Sequence, residues 1–595
     1  MISFLSFPRA QEFSPSAYHG YLCQEGVDSR LRGNDGIRAH LRNALLVLAW
    51  LFAGFAFASD KPDAHAVASA HPLATEAGLA MLKAGGNAFD AAVAISSTLA
   101  VVEPTGSGLG GGGFWLLHRA EDRFETFIDG RETAPAAAHE RMYLGADGKA
   151  VDKISRDGPL AAGIPGEPAA LDYLARGYGR LPLAQSLAPA INAAREGFVC
   201  DDKLAEAFER HWKRLSPDAQ RVFAISGRPP RQDERIVQAD LAVVLERLAK
   251  HGSAGFYEGL TAESLVKGAR AAGGIWSPED LRSYRVIERA PTVSYFRDVR
   301  VVSAPPPSAG GITLGTTLGQ LEALGWRSRA DVDAKHLLIE ALRRAYRDRA
   351  AYLGDPDFVR VPAWALLSPT YTRQLAESID PQRATPSTSL VAAPLLKQGT
   401  DTTHFSVLDA EGNRVAGTLS INLPFGSGFM APGTGVLLND EMDDFSASLT
   451  ASNAYGLIGS EPNRIQPGKR PLSSMSPTFV EGPRGLLIIG TPGGSRIITM
   501  VLHGLLAWID GADAAQIAAL PRFHHQYLPD RVQFEPGAFT AEEQAELVRR
   551  GHTLQALDSS YGNLQAVTWD PASGKVDAAA DPRGVGTARV VGARD

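Results

Sequence analysis

At 595 residues, with 44% hydrophobic and 21% charged side chains, the chain has ordinary globular composition and enough apolar material for a large core. A net charge of −7, with no long basic block in the body of the chain, gives no footprint for nucleic acid. No HExxH, GxSxG or paired CxxC pattern occurs, so a zinc protease, an α/β-hydrolase and a zinc module have no support.

The N-terminus reads as a leader. Arg38, His40 and Arg42 precede the apolar run 43–52, and Ala56-Phe57-Ala58 follows it. That order of basic segment, apolar segment and small-residue site predicts a secretory signal peptide cut after Ala58. Counted together with Ala53–Ala58, the apolar stretch 43–58 is about 16 residues, short for a membrane span. The polar stretch upstream of residue 37 fits no signal peptide and reads as an overlong start. Residues 1–58 are therefore expected to be lost, and the mature protein to be periplasmic or secreted. Cys23 goes with them, which leaves Cys200 alone, without a disulfide partner and read as a packed apolar residue.

Helical spacing runs through Thr75–Leu82 and stops at Gly85-Gly86. A second, Ala-rich helix starts near Phe89 and ends before Pro104. Gly108, Gly110 and Gly113 spell GxGxxG, but a helix precedes them and the strand-like Phe114–Leu117 follows. A dinucleotide turn needs the reverse order. Further helices are predicted over Leu241–Leu248 and around the arginine-rich Leu342–Tyr346, with strand-like runs after Arg297 and at Gly485–Ile489. Helices flanking strand cores predict a layered α/β protein. The segment 381–399, rich in Pro, Ser, Thr and Ala, reads as a mobile linker.

After it comes Asp401-Thr402-Thr403-His404-Phe405-Ser406-Val407. Phe405 and Val407 alternate with His404, Ser406 and Leu408, the pattern of a partly buried strand. Asp409 to Asn413 supplies turn chemistry, and a second strand is predicted through Val415, Thr418, Ser420 and Asn422. The hairpin brings Ser420 and Asn422 back beside Thr402. A threonine hydroxyl needs a base. If the bond before Thr402 is cut, the freed α-amine, titrating near about 7.7–8.0, is that base on the same residue. An ordinary polar hairpin edge is the alternative reading of these residues taken alone.

From about Ala64 almost to the C-terminus the sequence resembles the γ-glutamyltransferase (γ-glutamyltranspeptidase) family of N-terminal-nucleophile hydrolases. The resemblance rests on the Thr402 hairpin, Leu437–Phe445, Pro471–Pro477, Pro492–Arg496 and Pro521–His525. It implies a four-layer αββα sandwich built jointly by a large chain, 59–401, and a small chain, 402–595, after self-cleavage between Asp401 and Thr402. It also implies glutathione and other γ-glutamyl compounds as donors, amino acids or dipeptides as acceptors, and neither metal nor cofactor.

Carried over residue by residue, the resemblance makes Thr402 the nucleophile and Arg131 the binder of the donor's α-carboxylate, helped by Ser473 and Ser474. Glu441 and Asp444, with Asn422 alongside, receive its α-ammonium. Gly493 and Gly494 are placed to aim N–H groups at an oxyanion. Ser420 stands where many members carry threonine, and Glu441 where some bacterial members carry glutamine. The segment Ser448–Ser460, with Asn453 and Tyr455, fills the place of a lid loop, which favours γ-glutamyl compounds over glutaryl-cephalosporins. A cephalosporin-type acylase and a catalytically dead binding protein are the rival readings. His524-His525 is not expected to bind metal.

Overall fold

Every residue in both strands of the Thr402 hairpin is buried. The strand Thr403–Leu408 pairs antiparallel with Arg414–Ser420, from Leu408 opposite Arg414 to Thr403 opposite Leu419. Asp409 builds the turn between them. Its Oδ1 accepts the N–H groups of Glu411 and Asn413 at 2.9 Å each, and its Oδ2 accepts Asn413 Nδ2 at 2.8 Å. Gly412 takes φ +95°, a conformation that a Cβ disfavours. This computed structural model describes residues 61–327, 331–390, 402–446 and 460–594. The leader, Asp401 and the lid residues Asn453 and Tyr455 lie outside the described residues.

The hairpin sits in the middle of a seven-stranded antiparallel sheet. Its spatial order is Thr587–Gly592, Ala64–Ser69, Thr403–Leu408, Arg414–Ser420, Gly112–Arg119, Phe124–Gly130 and Ile287–Arg289. A second, six-stranded sheet runs Val576–Ala580, Gln565–Trp569, Gly485–Gly490, Thr478–Gly482, Val299–Ser303 and Thr292–Phe296. One face of the first sheet (Val67, Trp115, Ile128, Phe405, Val407) joins the core of the helices Ala88–Val102, Leu183–Glu196 and Ala239–His251. Its other face (Ala66, Phe114, Leu116, Leu408, Ala416) shares a core with the second sheet and the helices Gly310–Ala323, Val332–Tyr352 and Arg496–Ile509. Sheet stacked on sheet and helices outside both give the four-layer αββα sandwich. Among the described residues, no helix is long and apolar enough to cross a membrane.

The expected half-buried hairpin is corrected to a fully buried one. Its polar residues do not face water; they satisfy one another between the sheets. His404 Nδ1 lies 2.8 Å from Thr418 Oγ1 and its Nε2 lies 3.2 Å from Ser406 Oγ, which in turn donates to Gln565 O at 3.2 Å. Burial pushes His404 down to about 3, so it stays neutral. The second strand ends at Ser420, before the expected Asn422, because Asn422 takes φ +76° and leaves the ladder.

The first part of the expected linker is held against the fold, while 391–399 lie outside the described residues. Ala384 N–H donates to Arg550 O at 2.7 Å, and Ser387 is buried with its N–H on Asp530 Oδ2 at 2.6 Å, so 381–390 is packed chain. The glycine run earns its composition by packing rather than by phosphate binding. A Cβ on Gly110 would strike the carbonyl of Leu437, and one on Gly111 the carbonyl of Ser420. Only bare backbone lets these two segments approach so closely.

Candidate active site

Thr402 is buried one residue ahead of its strand, and extending the hairpin register by one residue sets Ser420 across from it. A narrow cleft there is lined by Thr402, Ser420, Asn422, Arg131, Asp444, Ser473, Ser474 and Gly494. Segments far apart in sequence therefore converge as expected. Asn422 is fixed by its N–H on Ser420 Oγ at 2.8 Å and its Nδ2 on Asp440 O at 2.9 Å. Gly493 lines a larger cavity on the other side, which also reaches Thr402.

Arg131, at the end of the strand Phe124–Gly130, is the electrostatic centre of the cleft. Its Nη1 lies 2.5 Å from Glu441 Oε2 and 3.6 Å from Glu132 Oε2, and its Nη2 lies 2.6 Å from Asp444 Oδ2. Burial opposes its charge, but Glu441, Glu132 and Asp444 outweigh burial and raise its pKa. The acids feel the opposite strain. Burial pushes Glu441 up to about 7, against the pull of Arg131, and Asp444 raises it further. Glu132 is raised too, by burial and then by Glu441. Too many carboxylates crowd one guanidinium for all to ionise comfortably.

A second guanidinium was not anticipated. Arg349, on the helix Val332–Tyr352, lines the same cleft and donates from Nη2 to Ser474 Oγ at 3.0 Å. Burial lowers its pKa to about 10, with Tyr346 and Asp444 drawing it back. Ser473 is held by its N–H on Pro307 O at 2.9 Å, and its Oγ accepts Met475 N–H at 3.1 Å.

Gly493 and Gly494 have φ +137° and +57°, and lead into the helix Arg496–Ile509. Their carbonyls accept Arg496 N–H and Ile497 N–H, each at 3.1 Å, while among the described residues neither glycine's own N–H is spent on a protein acceptor. Two free N–H groups at a helix start beside Thr402 suit a developing negative oxygen.

The remaining candidates are structural. His524 lies 2.8 Å from both Thr499 Oγ1 and Gln526 Oε1, while His525 faces Asp530 at 3.3 Å and accepts Tyr527 N–H at 3.1 Å. The two imidazoles thus have separate partners. His118, Glu125 and Glu481 come within 4.8 Å of one another, but Arg300 and Arg414 neutralise both carboxylates. Cys200 is buried, and burial pushes its thiol up to about 12.

The family described as gamma-glutamyltranspeptidase matches residues 74–591. The glutathione hydrolase proenzyme of Escherichia coli is 41% identical over 527 residues, covering 87% of this chain and 90% of that protein. The glutathione hydrolase proenzyme of a Pseudomonas species is 42% identical over 488 residues, covering 80% and 84%. Among solved structures, the Helicobacter pylori gamma-glutamyltranspeptidase is 38% identical with TM-score 0.53, over 54% of this chain and 93% of that one. A cephalosporin acylase from Bacillus halodurans is 29% identical with TM-score 0.78, over 89% and 96%.

Proposed function

The chain belongs to the gamma-glutamyltranspeptidase family, and we propose that it is an autoprocessed glutathione hydrolase and γ-glutamyltransferase with Thr402 as nucleophile. In the precursor, Thr402 Oγ1 attacks the Asp401 carbonyl carbon. The peptide C–N bond breaks as the ester forms, and the nitrogen, now an amine, takes the hydroxyl proton. Water then hydrolyses the ester, which yields the Asp401 carboxylate and a free Thr402 N-terminus. The chains 59–401 and 402–595 stay together.

In the mature enzyme the Thr402 amine accepts the hydroxyl proton while Oγ1 attacks the γ-carbonyl of the donor. The tetrahedral oxygen is met by the N–H groups of Gly493 and Gly494. The amine returns the proton to the leaving nitrogen, and a γ-glutamyl ester remains on Thr402. Water releases glutamate from it; the amine of an amino acid or dipeptide instead forms a new γ-glutamyl amide. Two half-reactions through one covalent intermediate make the kinetics ping-pong.

The observation that carries this reading is the charge balance beside Thr402. Two guanidiniums, Arg131 and Arg349, face three carboxylates, Glu132, Glu441 and Asp444. A γ-glutamyl donor is a zwitterion at its α-carbon: its carboxylate goes to Arg131 and the Ser473–Ser474 hydroxyls, and its ammonium to Glu441 and Asp444. A glutaryl group would add a fourth carboxylate and no cation, so the cephalosporin-acylase reading fits poorly. The leader supports export to the periplasm or beyond.

The test is a denaturing gel of purified protein with an activity assay. Wild type should run as two chains and release p-nitroaniline from γ-glutamyl-p-nitroanilide but not from the glutaryl analogue. Thr402→Ala should run as one chain and release none. An uncut wild-type chain, or activity in Thr402→Ala, would overturn the proposal.

A further inference from the structure

The strand Phe124–Gly130 ends just before Arg131, so the main chain of Arg131 leaves the sheet and needs other partners. Its N–H donates to Asp129 Oδ1 at 3.0 Å. Its carbonyl accepts twice, from the Tyr284 hydroxyl at 2.8 Å and from Arg470 Nη1 at 2.9 Å. Arg470 Nη1 also donates to Asp129 Oδ1 at 2.8 Å, and its Nη2 donates to Arg285 O at 2.7 Å. One guanidinium thus grips both the carbonyl of Arg131 and the carboxylate that holds its N–H.

Arg470 is itself immobilised. It is buried, its N–H donates to Asp355 Oδ2 at 2.8 Å, and its guanidinium carbon lies 5.5 Å from the Tyr284 ring centroid. Burial opposes its charge, but Asp129, Tyr284 and Asp355 outweigh burial and raise its pKa. Burial also raises Tyr284, so its hydroxyl stays a donor. Arg289 Nε meets the other oxygen of Asp129 at 2.8 Å. The same segment then runs on to the serines of the cleft. Pro471 O accepts Arg131 Nε at 3.3 Å, and Ser473 and Ser474 follow. Arg131 is therefore held at its main chain by Arg470 and at its side chain by Pro471.

We propose that Arg470 is a positioning residue for donor recognition: with the Tyr284 hydroxyl it sets the place of Arg131 relative to Ser473 and Ser474, and so the spacing of the groups that share the donor's α-carboxylate. The proposal rests on the reading of Arg131 given above. Arg131 and the two serines lie on opposite sides of the proposed cut, so no short stretch of chain fixes their separation. A buried cation is a poor source of stability, because its desolvation offsets its attraction, and its better-attested use is to specify one geometry. Precision matters here, since a misplacement of about 1 Å can cost about 10²-fold in rate.

The test is steady-state kinetics with γ-glutamyl-p-nitroanilide, with donor KM and kcat read separately and the amount of processed enzyme read from a denaturing gel. Arg131→Lys loses the guanidinium fork and should raise the donor KM by about tenfold or more. Arg470→Gln should raise it by about as much. Arg470→Lys should raise it less, because it keeps a charge beside Asp129 but cannot span the same acceptors, and Tyr284→Phe should raise it by about threefold. In each, kcat per processed enzyme should stay within about threefold of wild type, since Thr402 and the glycine N–H groups are untouched. A merely structural role would do the reverse, lowering the yield of active enzyme and leaving KM alone. In an Arg131→Lys background, Tyr284→Phe should raise KM by less than about twofold, because both changes act through one side chain. Tyr284→Phe leaves no buried charge unpaired, so it carries the test if the Arg470 variants fail to fold. An unchanged KM in Arg470→Lys, or in Tyr284→Phe where the Arg470 variants are not recovered, overturns the positioning role, as do KM effects that multiply in full with that of Arg131→Lys. An unchanged KM in Arg131→Lys would sink the carboxylate reading of Arg131 and this role with it.

Discussion

Glu441→Gln removes one negative charge from the crowded cluster while keeping the shape of the side chain. In the folded protein burial pushes Glu441 up to about 7, whereas an unfolded glutamate titrates near 4.5. A carboxyl whose folded pKa lies above its unfolded one favours the fold while protonated. The stability it brings is complete below about 4.5 and is lost as pH climbs through 7. At 1.36 kcal/mol for each unit of pKa, the loss by pH 8 is on the order of 3 kcal/mol. The amide cannot ionise, so the variant avoids that loss while its Oε1 still accepts from Arg131, which keeps Asp444 and Glu132 as ion partners. Urea unfolding in a Thr402→Ala background, with the chain intact, should show Glu441→Gln near wild-type stability at pH 5 and about 1–3 kcal/mol more stable at pH 8. In processed enzyme the donor KM of wild type should rise as pH falls through 7, since a protonated Glu441 no longer attracts the α-ammonium, and the variant's KM should lack that rise. Equal destabilisation by Glu441→Gln at both pH values would refute the crowded-charge argument.

Two other changes follow from the geometry. Gly493→Ala forces a side chain onto a residue at φ +137°, with its Cβ 2.6 Å from Met500 Cε. If the Gly493 N–H stabilises the oxyanion, kcat should fall by about 10²- to 10³-fold with KM little moved; a change below threefold would remove Gly493 from that role. Arg349→Met takes away the donor to Ser474 and one of the two cations of the cleft. We expect the KM for a γ-glutamyl donor to rise by about tenfold or more, the typical value of a hydrogen bond to a charged group, and an unchanged KM would make Arg349 a packing residue only.

The hairpin, its turn and the clustering of Thr402, Ser420, Arg131, Asp444, Ser473 and Ser474 were legible because each is local or belongs to a motif. The depth at which the hairpin lies was not. His404, Ser406 and Thr418 look like a wet face in sequence, and only a second sheet supplying Gln565 shows that they are buried and satisfied. Arg349 was hidden differently. It falls in an arginine-rich helix that resembles a solvated stripe, yet Arg343, Arg344 and Arg349 are all buried. The signal was there in their interleaving with Leu338, Leu342, Ala345 and Tyr346, since a charged residue at every helical phase leaves no dry face unless some arginines are inside. Glu132 was passed over because a lone glutamate carries no pattern; only burial beside other charges distinguishes it.

The order of strands explains how the chain would stay one molecule after the proposed cut before Thr402. In the first sheet Ala64–Ser69, from before the cut, lies between Thr587–Gly592 and Thr403–Leu408, both from after it. Arg414–Ser420 in turn pairs with Gly112–Arg119 across the same divide. The second sheet joins Thr478–Gly482 to Val299–Ser303 in the same way. Each fragment alone would expose strand edges and core on both faces, a state that the burial of this sandwich makes far less stable than the pair. The proposed hydrolysis before Thr402 would therefore break one covalent bond and no ladder pairing among the described residues. What the proposed cut would change is chemical: a neutral amide nitrogen would become a base on the same residue as the Thr402 hydroxyl, with the strand pairings described here kept.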